Sequence, residues 1–263
     1  MLEVVEISFV MDKGATQPIN CRLSDGSVAV VKYPNNICGT QTLINEWIGS
    51  SIAKVIGVTV PEFGICDLPI EMIYSNLDVD FLDEDNCGEC FYSTYLSKAV
   101  PKVSWGIAKN HEVERLILLD HILNNCDRHP GNLFIDNNTG IVYAIDYSHL
   151  FTNTSRPNLT PDFFKAEMDI QRCLSKDVLK NNYPVYDDIC FRAGFSKKIL
   201  YEESTRIKSL IKEENVEEIL SLIPLKWQQS VPYYNGNSLK SYIMFRVDHL
   251  DLICEMIAEE IGG

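Results

Sequence analysis

No apolar run in this sequence reaches the roughly 18–20 residues that a bilayer-spanning helix needs. The first ten residues also lack the basic, apolar and small-residue order of a secretory leader, because Glu3 and Glu6 interrupt them. A cytoplasmic protein without a transmembrane segment is expected. Positive charge is scarce as well: 23 Lys and Arg stand against 37 Asp and Glu, a formal net charge of −14 with a pI near 4.8. Nucleic-acid affinity draws on clustered cations that neutralise phosphates, so no nucleic-acid partner is expected. Any polyanionic ligand would need local cations or a metal to overcome the average field. Internal repeats and low-complexity tracts are missing. The nine Cys, odd in number and irregular in spacing, do not read as a disulfide framework and are expected to be reduced. Cys87 and Cys90 have the spacing of a zinc half-site, but no second pair lies nearby at matching spacing, so an incidental loop is preferred.

What the chain does have is enough apolar sequence for a real core: 263 residues, 46% of them apolar and 23% charged. Strands are expected over residues 2–10, 19–23 and 28–33, the last two joined by the hairpin signal Ser24-Asp25-Gly26. Ile44, Trp47, Ile48, Ile52, Val55 and Ile56 recur at helical spacing between a candidate N-cap, Thr40, and a terminating Gly57. Further strands are expected over residues 58–65 and 91–96, separated by the acidic segment 78–89. After Pro101 the pattern changes to a helix over residues 112–124, a hairpin of 133–135 with 141–145, and helices over 162–181, 198–212, 216–222 and 239–261. The expected fold class is therefore α+β and bilobal. Residues 1–100 form a small antiparallel-sheet lobe with one helix, residues 101–263 form a mostly helical lobe, and a cleft lies between them.

The densest polar constellation is Asn125-Cys126-Asp127-Arg128-His129-Pro130-Gly131-Asn132, which lies between a helix and the hairpin that leads to Asp146. Asp127, Asn132 and Asp146 supply a carboxylate, an amide oxygen and a second carboxylate, which can serve as one base and two hard-oxygen metal ligands. Phosphoryl transfer asks for that set, since its catalysis consists mostly of positioning, Mg²⁺ neutralisation and a carboxylate that accepts the hydroxyl proton. Mg²⁺ commonly takes only one or two protein oxygens, so Asn132 and Asp146 would suffice. An ordinary Asp/Asn/Gly surface turn is the alternative for this loop taken alone. Two more residues weigh against it. Lys32 sits in the otherwise apolar strand Val28-Ala29-Val30-Val31-Lys32, and Glu46 follows on the first helix. Gly14, Ala15, Thr16 and Gln17 join the first two strands and are small enough for backbone N–H groups to approach a ligand; a loose turn is the other interpretation.

Taken together, Val30-Val31-Lys32, Asn45-Glu46, Val58-Thr59-Val60-Pro61-Glu62, the 127–132 stretch, Tyr143-Ala144-Ile145-Asp146 and Ile223-Pro224-Leu225-Lys226-Trp227 resemble the HipA-like kinases of the protein-kinase-like and phosphoinositide-kinase-like superfamily. The resemblance covers nearly the whole chain. It implies that Asp127 is the catalytic aspartate that orients or deprotonates the acceptor hydroxyl, and that Asn132 and Asp146 are metal ligands for Mg²⁺, with Mn²⁺ as an alternative. Lys32, steadied by Glu46, would hold the α- and β-phosphates of ATP, and the loop from Gly14 to Gln17 would cover them. Adenine would meet backbone near Tyr95, Leu96 and Ser97, at the connection between lobes. The chain departs from the kinase pattern in having one glycine, Gly14, in the phosphate loop, and Asp146-Tyr147-Ser148 where protein kinases have Asp-Phe-Gly.

The function implied is an ATP- and Mg²⁺-dependent kinase acting on Ser or Thr of a protein substrate. Two alternatives remain: a kinase for a lipid or small-molecule hydroxyl, and a pseudokinase that senses nucleotide. Net acidity disfavours the anionic bilayer surface that a lipid kinase would work on. The loops over residues 78–89 and 151–161 are expected to set substrate choice.

Overall fold

A computed structural model describes residues 1–11, 14–76, 79–101, 103–109, 112–151 and 160–261. Asp78 and most of the 151–161 loop lie outside the described residues. The first strands fall where alternation places them: β1 (Leu2–Val10), β2 (Ile19–Leu23) and β3 (Val28–Lys32). In β1 the inward residues Val4 and Ile7 are three apart, which strict period-2 alternation would place on opposite faces. A register shift between Val4 and Glu6 resolves this, setting Val4 opposite Leu23, Glu6 opposite Arg22 and Ile7 opposite Cys21. Such bulges bend and twist a strand. Here the sheet curls until β1 meets β4 (Phe63–Leu68) in a parallel pairing of Leu2 with Cys66 and Glu3 with Asp67, closing a barrel in the order β1-β2-β3-β5-β4, with β5 spanning Gly88–Thr94. The closing pair makes the sheet other than purely antiparallel.

β4 begins later than the 58–65 expectation. Pro61 has no N–H for a ladder, and the Thr59 amide is taken by Glu112 Oε2 at 2.8 Å. The Thr59 carbonyl instead accepts from Ala144 N at 2.9 Å, tying this segment to the second sheet. That sheet consists of β6 (Ala99–Pro101), β7 (Leu133–Asp136) and β8 (Ile141–Ala144), all antiparallel.

Helix α1 (Gln41–Ile56) ends at Gly57 in the left-handed conformation (φ 80°). Thr40 precedes it but does not cap it through its side chain; its hydroxyl accepts from Asn35 N and donates to Asn35 Oδ1, bracing the β3–α1 loop. Of the 16 residues of α1, 12 are buried, so this is an interior helix and not a surface one. Its residues Leu43, Ile44, Ile48 and Ile52 share one core with α3 (Val113–Ile122) and the C-terminal helices, while the barrel has a core of its own around Ile19, Leu23 and Val31.

A short helix, α2 (Ile70–Tyr74), follows β4. The expected helix over 162–181 is divided into α4 (Pro161–Glu167), α5 (Ile170–Cys173) and α6 (Asp177–Asn181). Asp169 causes the first break, since its carboxylate caps the amides of Gln171 and Arg172. After α7 (Tyr183–Ile189) come α8 (Lys197–Leu210), α9 (Glu213–Ser221) and α10 (Leu225–Ser230). The expected 239–261 helix starts earlier, at the cap Asn235, and is broken at His249 into α11 (Gly236–Asp248) and α12 (Leu250–Ile261).

Candidate active site

Lys32 ends β3 with its side chain 10% exposed. A buried ammonium needs partners, and two carboxylates supply them. Lys32 Nζ donates to Glu46 Oε1 on α1 and to Asp146 Oδ1 at 2.9 Å. Residues from β3, α1 and the chain beyond β8 thus meet at one nitrogen. Burial works against the Lys32 charge, but the two facing carboxylates outweigh it and hold the ammonium above its ordinary pKa. Asp146 is pushed upward by burial and pulled down further by Lys32 and the Ser148 hydroxyl, so its carboxyl lies well below the usual range and stays ionised. Glu46, buried more completely and facing Asp146, is raised.

Asp146 lies two residues past β8 with φ 59°. Ser148 Oγ donates to Asp146 Oδ1 at 2.5 Å, while the Ser148 carbonyl accepts from Asn45 Nδ2 of α1 at 2.8 Å. The chain after Asp146 is therefore fastened to the same helix that carries Glu46.

The second part of the site follows α3. Residues 125–132 form a loop that closes in a short 3₁₀ turn, Pro130–Asn132, where His129 Nδ1 accepts from Gly131 N at 3.0 Å. Asn132 is buried, and its Nδ2 donates to the Asp127 carbonyl at 2.8 Å. Asp127 is half-buried, and burial raises its carboxyl above the ordinary value, with His149 and His129 pulling the other way. Arg128 points inward. Its guanidinium pairs with Asp120 of α3 at 2.9 and 3.2 Å and donates to the carbonyls of Asn132 (3.3 Å) and Ile145 (3.0 Å). Ile145 N in turn donates to Asn132 O at 3.0 Å. These bonds hold the 127–132 loop against the segment that presents Asp146.

Five of the sequence-derived residues thus assemble: Lys32, Glu46 and Asp146 in direct contact, Asp127 and Asn132 joined to them through backbone. Gly14, Ala15, Thr16 and Gln17 connect to the chain just after Lys32, at Tyr33 and Cys38. Gln17 N donates to Gly14 O, the Gln17 carbonyl accepts from Tyr33 OH at 3.1 Å, and Cys38 Sγ reaches the Ala15 carbonyl at 3.5 Å, so the loop rests on the residues that follow Lys32. Tyr95, Leu96 and Ser97 are at the other end of β3, on the link from β5 to β6. Tyr95 N donates to Val28 O, and Leu96 O accepts from Ala99 N. Four residue steps along β3 put this link about 13 Å from Lys32. It does not join the Lys32 cluster.

Sequence reasoning assigned no role in the site to Asp120, or to Arg128, Ser148 and Asn45, which it met only as parts of motifs. Asp120 carried a signal, because it is a carboxylate at a core-facing helical position and a buried charge requires a partner. The donor set would suit a hard divalent cation: the Asn132 amide nitrogen is engaged with the Asp127 carbonyl, so its oxygen is the atom that could serve as a ligand, and Asp146 is kept ionised.

Among solved structures, the fold is similar to the proinflammatory kinase CtkA of Helicobacter pylori, with 13% identity and a TM-score of 0.54 over 97% of this chain and 95% of that one. It is also similar to a Golgi casein kinase solved with Mn and ADP bound, with 11% identity and a TM-score of 0.57 over 98% of this chain and 74% of that one. At such identities the likeness bears on the fold alone: an α+β bilobal kinase fold. No curated protein sequence matches the chain. The sequence model of the HipA-like kinases matches residues 4–247, and with that match the chain belongs to the HipA-like kinase family.

Proposed function

We propose that the protein is an ATP-dependent kinase that transfers the γ-phosphoryl group to a Ser or Thr hydroxyl of a protein. The observation that carries this is the bonding of Lys32 Nζ to both Glu46 and Asp146, with Asp127 and Asn132 braced alongside. Residues 1–100 act as the nucleotide-covering lobe and residues 101–263 as the catalytic lobe. ATP lies with adenine toward Tyr95, Leu96 and Ser97 and its phosphates toward Lys32, under Gly14, Ala15, Thr16 and Gln17. Lys32 holds the α- and β-phosphate oxygens, and Glu46 keeps its ammonium in place. Asn132 Oδ1 and the Asp146 carboxylate hold Mg²⁺ or Mn²⁺, which when bound offsets the phosphate charge.

Asp127 accepts the proton of the acceptor hydroxyl as the hydroxyl oxygen bonds to the γ-phosphorus and ADP departs. Its raised pKa makes it a better proton acceptor than an ordinary aspartate once it is ionised. The nine free cysteines suit a reducing, cytoplasmic setting, and no described helix is long and apolar enough to cross a membrane. The net charge of −14 favours a protein acceptor with basic surface over nucleic acid.

The test is labelled-phosphate transfer from ATP with Mg²⁺ or Mn²⁺, to the protein itself and to a lysate of its own cell. Transfer that Asp127→Ala abolishes is expected. Labelling of lipid vesicles with no labelled protein would move the acceptor to a lipid hydroxyl. Nucleotide binding without any transfer would make the protein a nucleotide-sensing module.

A further inference from the structure

The backbone on either side of Asp127 is gripped by a residue from a remote part of the chain. Asn182 lies between α6 and α7 and is fully buried. Its backbone is fixed by both helices: its N–H donates to Val178 O, and its carbonyl accepts from Val185 N and Tyr186 N. The side chain reaches across to the 125–132 loop. Oδ1 accepts from Arg128 N at 2.9 Å and Nδ2 donates to the Asn125 carbonyl at 2.8 Å. One carboxamide therefore spans the residues that flank Cys126 and Asp127. Its orientation is determined by chemistry, because an amide N–H can only donate and a carbonyl can only accept.

The grip is itself braced. Asn182 Nδ2 also donates to Tyr186 OH at 3.1 Å, and that hydroxyl donates to Asp120 Oδ2 at 2.9 Å. Asp120 takes the Arg128 guanidinium and Asn125 Nδ2 (2.8 Å) on the same carboxylate. Asn125 Oδ1 in turn accepts from Asp127 N at 3.1 Å. The loop is thus held by side chains from α3 below and from the α6–α7 junction at its side, and every member of the ring has its polar atoms engaged with another. Satisfied buried networks of this kind rigidify what they touch. Here they touch the peptide units around one carboxylate.

We propose that Asn182 is a positioning residue for phosphoryl transfer, with Tyr186 as its brace: the carboxamide sets where the Asp127 carboxylate sits relative to the acceptor hydroxyl, without touching nucleotide or acceptor. The inference rests on the kinase function proposed above. A positioning loss lowers turnover and leaves nucleotide binding intact, because Lys32, Glu46 and the 95–97 link make no bond to Asn182, while Asn132 and the segment that presents Asp146 stay joined through Ile145 N and through the Arg128 guanidinium, which Asp120 holds directly. A merely structural role lowers the fraction of folded protein and leaves turnover per folded site unchanged.

The experiment compares wild type, Asn182→Ala and the near-isosteric Tyr186→Phe by two measurements. The first is hydrogen exchange of the peptide covering residues 124–132, with α8 and α12 as references; it needs no activity. Asn182→Ala is expected to speed exchange at this peptide by about tenfold or more while the references stay unchanged, and Tyr186→Phe to do so by a smaller factor. The second is kcat per nucleotide-binding site, counted by titration with a fluorescent ATP analogue. Asn182→Ala is expected to lower kcat per site by about tenfold or more with the nucleotide KM within about twofold of wild type. Unchanged exchange at 124–132, or an unchanged kcat per binding site, overturns the proposal. If Asn182→Ala does not fold, Tyr186→Phe decides by the same two criteria. If wild type transfers no phosphate at all, the kinase function fails, and the exchange result alone decides whether Asn182 holds the loop.

Discussion

Gly49 of α1 lies so close to Tyr147 that a Cβ added to it would fall within 3 Å of the tyrosine Cβ, Cγ and Cδ1. The helix that carries Glu46 is therefore seated directly on the residue that follows Asp146. Asn45 makes the same connection by hydrogen bond to Ser148, and the Arg128 guanidinium carbon lies over the Tyr147 ring, 5.0 Å from its centroid. Close packing at Gly49 is how the Lys32–Glu46–Asp146 contact becomes a fixed feature of the fold.

Gly49→Ala tests this seating. Helix propensity alone favours Ala over Gly by about 1 kcal/mol, but overpacking against atoms near the tyrosine backbone costs about 1–3 kcal/mol. The variant is expected to melt lower than wild type and to transfer phosphate several-fold more slowly, as α1 is displaced and Glu46 moves from Lys32. A variant that melts higher than wild type with full activity would show that propensity wins and the seating is loose.

The two aspartates of the site are expected to separate binding from chemistry. Asp127→Ala removes the proposed proton acceptor and is expected to cost about 10²–10⁴ in turnover while leaving nucleotide affinity near wild type. Asp146→Ala removes a proposed cation ligand and one partner of Lys32. Nucleotide affinity should then stop depending on Mn²⁺. Titration of a fluorescent nucleotide with and without Mn²⁺ distinguishes them, and equal binding losses in both variants would contradict the assignment of roles.

Much of this site could be read in advance because its chemistry is local and unusual. A lysine in an apolar strand, a glutamate at a fixed place on a strongly periodic helix, and an Asp/Asn loop leading to a second aspartate each stand out from their surroundings. Strand β3, helix α1 and the β7–β8 hairpin are legible for the same reason, since alternation, period and turn residues agree. What stayed hidden depends on partners brought in by folding. β4 shifts because the Thr59 amide is claimed by Glu112, 53 residues later. The 162–181 helix breaks where Asp169 finds amides to cap. Asn182 and Tyr186 look like ordinary residues at the start of a helix until the chain brings them beneath a loop more than 50 positions earlier.

Lys32→Met leaves Glu46 and Asp146 facing each other in a largely buried site with no cation between them. Removing one partner of a buried ion pair costs about 3–5 kcal/mol. The sign of the pH dependence follows from linkage. Without the ammonium, both carboxyls in the folded state titrate above their unfolded values, so the folded protein holds protons that the unfolded chain releases. Stability of the variant is present at acidic pH and lost as pH rises. The melting gap between wild type and Lys32→Met should therefore widen from pH 5 to pH 8. A gap that is constant across this range would mean the two carboxylates do not interact.

His121 of α3, the residue after Asp120, provides the opposite dependence. It is fully buried, and neither ring nitrogen has a hydrogen-bond partner among the described residues. Burial first, and then the Arg246 guanidinium that donates to the His121 carbonyl, depress the imidazole to about 3. Between that value and the ordinary 6.5 of the unfolded chain, unfolding takes up a proton that the folded state refuses. The stabilisation is complete above the unfolded value and is lost as pH falls. From neutral pH to pH 4.5 this one residue accounts for about 2–3 kcal/mol of lost stability, at 1.36 kcal/mol per unit. His121→Leu removes the titration and also removes two buried polar atoms that lack partners, which is neutral or stabilising at pH 7.5. Urea unfolding at pH 7.5 and 4.5 checks both parts. The variant should match or exceed wild type at the higher pH and lose about 2 kcal/mol less on acidification; an identical acid loss in the two proteins would mean that His121 is already protonated in the fold.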